Sequence, residues 1–192
     1  MNKSLLEKWN RIYQSDTIVS VAAEVLAENL YLLPKSGLAL DLASGLGANA
    51  LLLAQQGMTT QAWDISDIAL RKLQRQTETQ PFTIETCVKE ISANSFMPGS
   101  YDVIVVSRFL DRSISNAIME SLKPKGLLFY QTYTRHKASE QGPKNPRFLL
   151  AENELLDLFS ALQVVYYRDN AGLGSVQYGL RNEAQFIGQK AG

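Results

Sequence analysis

The sequence predicts an α/β fold built around a mostly parallel sheet. Strand-like runs alternate with helix-like segments along the 192 residues, which is the order of repeated strand–helix–strand units. Two of these runs, 37–42 and 101–107, are apolar almost throughout, as strands covered on both faces should be. There is no internal repeat and no low-complexity linker, so we expect one domain over 1–192.

Helices are expected where apolar residues recur with helical spacing between capping and stop signals. The segment 17–33 has Asp16 as its N-cap and Pro34 beyond its end. Gly57 ends a second helix, and Ser66 is available to cap a third. The predicted helices are 17–33, 49–57, 66–76, 113–122 and 153–162.

Strands account for the remaining apolar segments. The run 101–107 is the most strongly apolar, "KPKG" at 123–126 forms a turn, and the last two strands form a hairpin around "AGLG". The predicted strands are 37–42, 59–65, 82–88, 101–107, 127–133, 164–170 and a stretch within 175–188. Ligands of such sheets bind beyond the carboxyl ends of the strands. The residues to watch are therefore Asp41 to Gly47, Asp64, Glu90, and Ser107 with Arg108.

Charge and composition exclude several classes of function. Basic and acidic side chains balance at 19 each, so no overall field favours nucleic acid or an anionic membrane. One cysteine and one histidine leave no disulfide framework and no thiolate or multi-histidine metal site. The N-terminus lacks the apolar core of a signal peptide, and no apolar run is long enough to cross a bilayer. We expect a cytoplasmic protein.

A glycine-rich turn follows the first strand, in "LDLASGLGANA" (40–50). Gly45, Gly47 and Ala50 form a G-x-G-x-x-A pattern, which can open a dinucleotide site. Asp41, however, stands four residues before the first glycine, where it would repel a pyrophosphate. A ligand with an amino group and a sulfonium, such as S-adenosylmethionine, has the opposite need. Asp64 ends the second strand, and a carboxylate there suits the ribose of either ligand.

These residues resemble the first two motifs of class I S-adenosylmethionine-dependent methyltransferases, most closely their tellurite-resistance-type branch. The resemblance rests on "LALDLASGLGANALLLAQQG", "AWDIS", "YDVIVVSRFL" and "LKPKGLLFYQTY" and extends from residue 9 to residue 188. It implies a Rossmann-like, seven-stranded sheet with an antiparallel last strand and helices on both faces. It also implies S-adenosyl-L-methionine as cofactor, with a small-molecule acceptor held by the N-terminal segment and the loop after strand five. We therefore expect 1–36 to form a helical lid over a core at 37–192.

The resemblance assigns individual positions to the cofactor. Asp41 corresponds to the acid that anchors the methionyl end, and Asp64 to the ribose ligand. The adenine would lie beside Ile65, near Glu90 and Ile91, and the backbone of Ser107 would approach the cofactor. The turn beneath the methionyl part corresponds to Ala43, Gly45 and Gly47.

Two positions depart from the family pattern. Ala43 stands where a glycine is common, and it still permits close approach if its φ is negative. Lys125 replaces the glycine of the usual K-P-G-G turn, and a lysine is acceptable at a type I turn position.

Other residues have both a structural and a functional interpretation. Cys87 is expected to be a small core residue, and Asp111 a cap or a partner of Arg112. His136, in the long loop 134–148, is either a surface residue or a general base. Arg108 points either into the pocket, where it would suit an anionic acceptor, or away from it.

Trp9 and Tyr13 lie on one face if 4–14 is helical. They either anchor an N-terminal helix to the domain or form a lid that shields the sulfonium from water.

The proposed reaction is in-line displacement of a methyl group from the sulfonium by an acceptor nucleophile. The candidate catalytic residues are His136, Tyr13 and Arg108. An acceptor hydroxyl would need a base, whereas a soft thiolate or chalcogen anion would not.

Three alternatives remain beside a small-molecule methyltransferase. They are an NAD-dependent oxidoreductase, a module that binds the cofactor without transfer, and a nucleic-acid methyltransferase. The last is disfavoured because no "NPPY"-like segment follows strand four; "NPRF" (145–148) lies beyond strand five. Neither the acceptor nor the oligomeric state can be read from the sequence.

Overall fold

The computed structural model describes residues 3–15 and 20–192. Seven strands form one sheet: β1 (Leu38–Leu42), β2 (Thr59–Asp64), β3 (Ile84–Val88), β4 (Tyr101–Ser107), β5 (Leu122–Tyr133), β6 (Gln163–Arg168) and β7 (Glu183–Gln189). Their order across the sheet is β3-β2-β1-β4-β5-β7-β6. Strand β7 runs antiparallel to both of its neighbours, and the other pairs are parallel. The prediction of a mostly parallel sheet with an antiparallel last strand is confirmed.

The chain reverses its direction of travel across the sheet between β1 and β4. From β1 it continues outward to β2 and β3, and it then returns to β4 on the other side. The register pairs Asp41 with Val105 and Leu42 with Val106, so the carboxyl ends of β1 and β4 lie side by side. A topological switch point of this kind opens a crevice in which such sheets bind ligands.

The helices are α1 (Lys3–Gln14), α2 (Glu24–Ala27), α3 (Ala48–Gln55), α4 (Asp67–Thr77), α5 (Ser115–Ser121) and α6 (Glu154–Leu158). Ser66 caps α4 as predicted, because its side chain accepts the Ala69 N–H. In the described part of the chain, no helix has the length and apolar character that a membrane span requires.

The predicted helix over 17–33 is wrong. Residues 20–23 are not helical, α2 has four residues, and a single 3-10 turn follows at Leu30–Leu32. The Asp16 cap lies outside the described residues. The N–H groups of Ala23 and Val25 bind the side chains of Asn49 and Gln131, so tertiary hydrogen bonds replace a local helical ladder here.

The core lies on both faces of the sheet. On β4, Ile104 and Val106 pack into one apolar cluster with α5 and α6, and Val103 and Val105 pack into the opposite cluster with α2 and α3. This alternation explains why β4 is apolar along its whole length. Asp41 alternates with Leu40 and Leu42, so its side chain lies on the face covered by α2 and α3.

Two turn expectations are corrected by the backbone. Ala43 has a φ of 55° and Lys125 a φ of 64°, so both are left-handed. Close approach at Ala43 was conditional on a negative φ, which this residue does not have, and Lys125 does not occupy a type I turn position. The segment 123–126 lies within β5, and the Lys125 N–H donates to the Lys190 carbonyl across the end of the sheet.

Candidate functional site

Asp41 is fully buried at the carboxyl end of β1. Its Oδ2 accepts the Ala50 N–H at 3.0 Å, and its Oδ1 accepts from Asn49 Nδ2 at 3.3 Å. Burial raises the pKa of this carboxyl to about 7, although both hydrogen bonds act to lower it. A cation bound beside Asp41 would favour its ionised form.

Asp64 is buried at the carboxyl end of β2. Its Oδ2 accepts the Gly45 N–H at 2.8 Å, and its Oδ1 accepts the Ser66 N–H at 2.8 Å. Burial raises its pKa, and these backbone hydrogen bonds oppose that shift. Asp64 therefore joins the glycine turn to the start of α4, and its position does not require a ligand.

The turn between β1 and α3 is built from left-handed residues. Ala43, Gly45 and Gly47 have φ values of 55°, 52° and 76°. A Cβ at Gly45 would lie 2.6 Å from the Tyr13 hydroxyl oxygen, and one at Gly47 would collide with Leu73 of α4. A side chain at Gly47 would thus disrupt helix packing, whereas the absence of one at Gly45 lets the Tyr13 hydroxyl approach the turn.

Helix α1 covers this turn. Tyr13 lies over Gly45 and stacks on Trp9, with ring centroids 5.7 Å apart. Burial raises the pKa of the Tyr13 hydroxyl, and the charges of Asp64 and Asp41 raise it further, so the phenol stays protonated near neutral pH. Asn10 fixes the helix, because it accepts from the Ser66 hydroxyl at 2.6 Å and donates to Asp67 at 2.9 Å. The structure therefore brings Tyr13 to the site.

The residues assigned to the adenine lie around the loop after β3. This loop begins beside Asp64, whose carbonyl accepts the Lys89 N–H at 2.9 Å. Ile65 is half-buried, Glu90 is exposed, and Ile91 packs against the core cluster that contains Trp63. Lys89 extends over the Trp63 ring, 3.7 Å from its centroid.

A second set of polar side chains lies at the carboxyl ends of β4 and β5. The Ser107 hydroxyl accepts from Asn49 Nδ2 at 3.1 Å. Next to it, Arg108 Nε donates to Glu183 at 2.8 Å, while its side chain remains 54% exposed. Glu183 is buried and also accepts from Gln131 Nε2. The two orientations expected for Arg108 were into the pocket or away from it. Instead, Arg108 forms an ion pair with Glu183 at the carboxyl ends of β4 and β5, and Glu183 neutralises its charge.

A small cavity separates this group from the segment before α2. It has a volume of about 10 Å³, room for roughly one water, and is lined by Val21, Ala23, Ser107, Arg108 and Gln131.

The remaining candidates occupy structural positions. His136 is exposed and lies 2.8 Å from the exposed carboxylate of Glu152. Asp111 caps the following turn by accepting from Ser113, whereas Arg112 pairs with Glu154. Cys87 packs against the core, as expected. No group of three or more metal-ligating side chains occurs among the described residues.

Sequence reasoning missed three residues of this arrangement: Asn49, Gln131 and Glu183. Each joins segments that are far apart in the chain; Arg108 and Glu183, for example, are 75 positions apart. The available signal was a polar residue inside an otherwise apolar helix or strand, as in "ANALLLAQ" and "LLFYQTY".

A family model described as tellurite resistance protein TehB matches residues 10–178. No protein of curated function gives a significant sequence match.

Solved structures share the fold. TehB from Haemophilus influenzae is 23% identical, with a TM-score of 0.70; the alignment covers 96% of this chain and 66% of that one. S-adenosylmethionine-dependent methyltransferases from Clostridium acetobutylicum and Methanosarcina mazei are 13% and 20% identical, with TM-scores of 0.68 and 0.67. The former alignment covers 98% of both chains, and the latter covers 90% of this chain and 99% of that one.

Proposed function

We propose that this chain, which belongs to the tellurite resistance protein TehB family, transfers a methyl group to a small-molecule acceptor. The fold and family are those of S-adenosylmethionine-dependent methyltransferases, and S-adenosyl-L-methionine is the expected cofactor. One observation carries the proposal: two buried carboxylates, Asp41 and Asp64, flank a left-handed glycine turn at neighbouring strand ends.

The described residues fit this cofactor. The Ser44 hydroxyl, within the turn, is a buried polar side-chain atom that lacks a hydrogen-bond partner among the described residues. Such an atom costs free energy unless something satisfies it. Gly45 lets the Tyr13 hydroxyl lie against the turn. Asp41 and Asp64 supply negative charge, which suits an ammonium, a sulfonium and ribose hydroxyls rather than a pyrophosphate.

When bound, S-adenosyl-L-methionine supplies a methyl group on a positively charged sulfur, with a neutral thioether as leaving group. Asp41 would hold the methionyl end, Asp64 the ribose, and Ile65 with Ile91 the adenine. Tyr13 would cover the turn and exclude water from it. Positioning of this kind supplies most of what the protein contributes to the transfer.

The acceptor subsite is proposed beside Ser107 and Arg108. Arg108 is neutralised by Glu183, so it adds no net positive charge next to a sulfonium. His136 is exposed and paired with Glu152, which gives no support to its role as a base at the turn. This arrangement favours an acceptor that arrives deprotonated, such as a thiolate or an inorganic chalcogen anion.

The test is transfer of a labelled methyl group from S-adenosyl-L-methionine to a panel containing a thiol, tellurite, selenite and a phenol. We expect label on the thiol or a chalcogen anion, and loss of that label in Asp41→Ala. Cofactor binding without transfer to any member would instead support the binding-module alternative.

A further inference from the structure

Asn49 connects three parts of the candidate site. It is buried on the first turn of α3, and its Oδ1 accepts the Ala23 N–H at 2.8 Å. Its Nδ2 donates to Asp41 at 3.3 Å and to Ser107 at 3.1 Å. The amide thereby uses its acceptor and both of its donor hydrogens within the protein.

The contact with Ala23 has a particular role because α2 lacks a local cap. Ala23 occupies the N-cap position of α2 and has no side chain that can accept a hydrogen bond. The Ala23 N–H binds Asn49, and the Val25 N–H binds Gln131 Oε1 at 2.9 Å. Distant side chains therefore fix the segment 20–25, which follows α1 in the chain and borders the small cavity.

We propose that Asn49 is a positioning residue that orients the Asp41 carboxylate and ties it to the segment 20–25. Docking of that segment and binding at Asp41 then stabilise each other, because both require the same side-chain orientation. The identity of the ligand in this inference rests on the proposed function. The contacts of Asn49 do not depend on it.

Electrostatics gives Asn49 a measurable effect. Burial raises the pKa of Asp41, the charge of Asp64 raises it further, and the donors Asn49 and Ala50 lower it. Tyr13 faces the same carboxyl and is protonated, so it adds no charge. Loss of the Asn49 donor should therefore move the Asp41 pKa upward.

The experiment uses the full chain labelled with ¹³C at aspartate carboxyls. In Asn49→Ala, the titration midpoint of the ligand-free Asp41 carboxyl should rise by about one pH unit. The Kd for S-adenosylhomocysteine should be measured between pH 6 and 8.5. The midpoint of its pH dependence should move to higher pH together with the Asp41 titration. Hydrogen exchange at the Ala23 N–H should become faster by an order of magnitude or more.

Asn49→Asp separates the two roles and provides a second variant if Asn49→Ala does not fold. When ionised, an aspartate here can still accept the Ala23 N–H, but it cannot donate to Asp41, and its like charge raises the Asp41 pKa further. Protection of Ala23 should then persist while the Asp41 midpoint rises.

The matched control is Asn29→Ala. Asn29 is also buried and donates to the Val25 carbonyl at 3.0 Å, but it makes no hydrogen bond to Asp41 or Ala23. This variant should lose stability without moving the Asp41 midpoint. An unchanged Asp41 midpoint and unchanged Ala23 exchange in Asn49→Ala would overturn the inference. Failure of the wild-type chain to bind S-adenosylhomocysteine would overturn the proposed function, while the ligand-free titration would still decide the role of Asn49.

Discussion

At the scale of single residues, the candidate site contains two carboxylates that already accept hydrogen bonds from the protein itself. Asp41 accepts from Asn49 and Ala50, and Asp64 accepts the N–H groups of Gly45 and Ser66. Both carboxylates still have a lone pair to offer, because a carboxylate accepts about four hydrogen bonds. The carboxylates are therefore held in place before any ligand arrives, which lowers the entropic cost of binding.

Asp64→Ala should weaken binding of S-adenosylhomocysteine by roughly 1.5–3 kcal/mol, since two charge-assisted hydrogen bonds to the ribose are lost. Titration calorimetry measures the change. Asp157→Ala, which removes an exposed carboxylate from α6, is the control and should leave the affinity unchanged. Equal affinities of wild type and Asp64→Ala would remove Asp64 from the ribose site.

The sequence revealed the residues at strand ends and missed those that join them. Asp41, Gly45 and Asp64 could be placed because apolar strands, a glycine turn and the rule for parallel sheets put them at one edge. Asn49 and Glu183 could not, because their partners depend on which distant segments the fold brings together. The left-handed backbone of Ala43 was also missed, since the propensity of alanine argues against that conformation.

At the scale of elements, α1 covers the glycine turn. It contacts the turn through Tyr13 on Gly45 and the start of α4 through Asn10. No residue of α1 is fully buried. A helix held in this way should cost little to displace, so we propose that α1 forms the lid, whereas α2 packs into the core through Val25 and Leu26.

Tyr13→Ala tests the lid. We expect titration calorimetry to show weaker binding of S-adenosyl-L-methionine by about 0.5–2 kcal/mol, because the Tyr13 ring would no longer lie near the proposed position of the sulfonium. Tyr31→Ala removes a tyrosine that is 79% exposed and serves as the control. If Tyr13→Ala lowers only the melting temperature and leaves affinity and turnover intact, the ring is a packing anchor and not part of a lid.

Lys125→Gly should stabilise the fold. A non-glycine residue at a φ of 64° carries a strain of about 1–2 kcal/mol, and the added freedom of a glycine in the unfolded chain offsets part of the gain. We expect a melting temperature about 2–4 °C higher by calorimetry. Lys144→Gly, in the exposed loop after β5, should give no increase. A lower melting temperature in Lys125→Gly would show that the Lys125 side chain contributes more than its backbone costs.

At the scale of the whole molecule, the switch point between β1 and β4 gathers the polar groups at one edge of an otherwise apolar sheet. The two carboxylates are buried there at a cost in stability. The native state binds more protons than the unfolded state between the ordinary Asp41 pKa of 3.8 and its raised value of about 7. The contribution of this group to stability is therefore present at low pH and is lost as the pH rises through about 7.

Asp41→Asn should remove this dependence, because an amide does not titrate. The free energy of unfolding of the wild type should fall relative to that of Asp41→Asn between pH 5 and 8, by a few kcal/mol at most. Urea unfolding at a series of pH values measures the difference. In the control Asp157→Asn, the free energy of unfolding should depend on pH as it does in the wild type. If the free energy of unfolding of Asp41→Asn changed with pH as steeply as that of the wild type, Asp41 would be ionised throughout this range.

The central claim is that buried carboxylates at the glycine turn select a nucleoside ligand that carries an ammonium group over one that carries a pyrophosphate. The most direct measurement is titration calorimetry of the purified chain with S-adenosylhomocysteine, with NAD in a parallel titration. We expect micromolar binding of S-adenosylhomocysteine and no heat from NAD. Binding of NAD alone would contradict it, because a pyrophosphate would then be accepted beside Asp41.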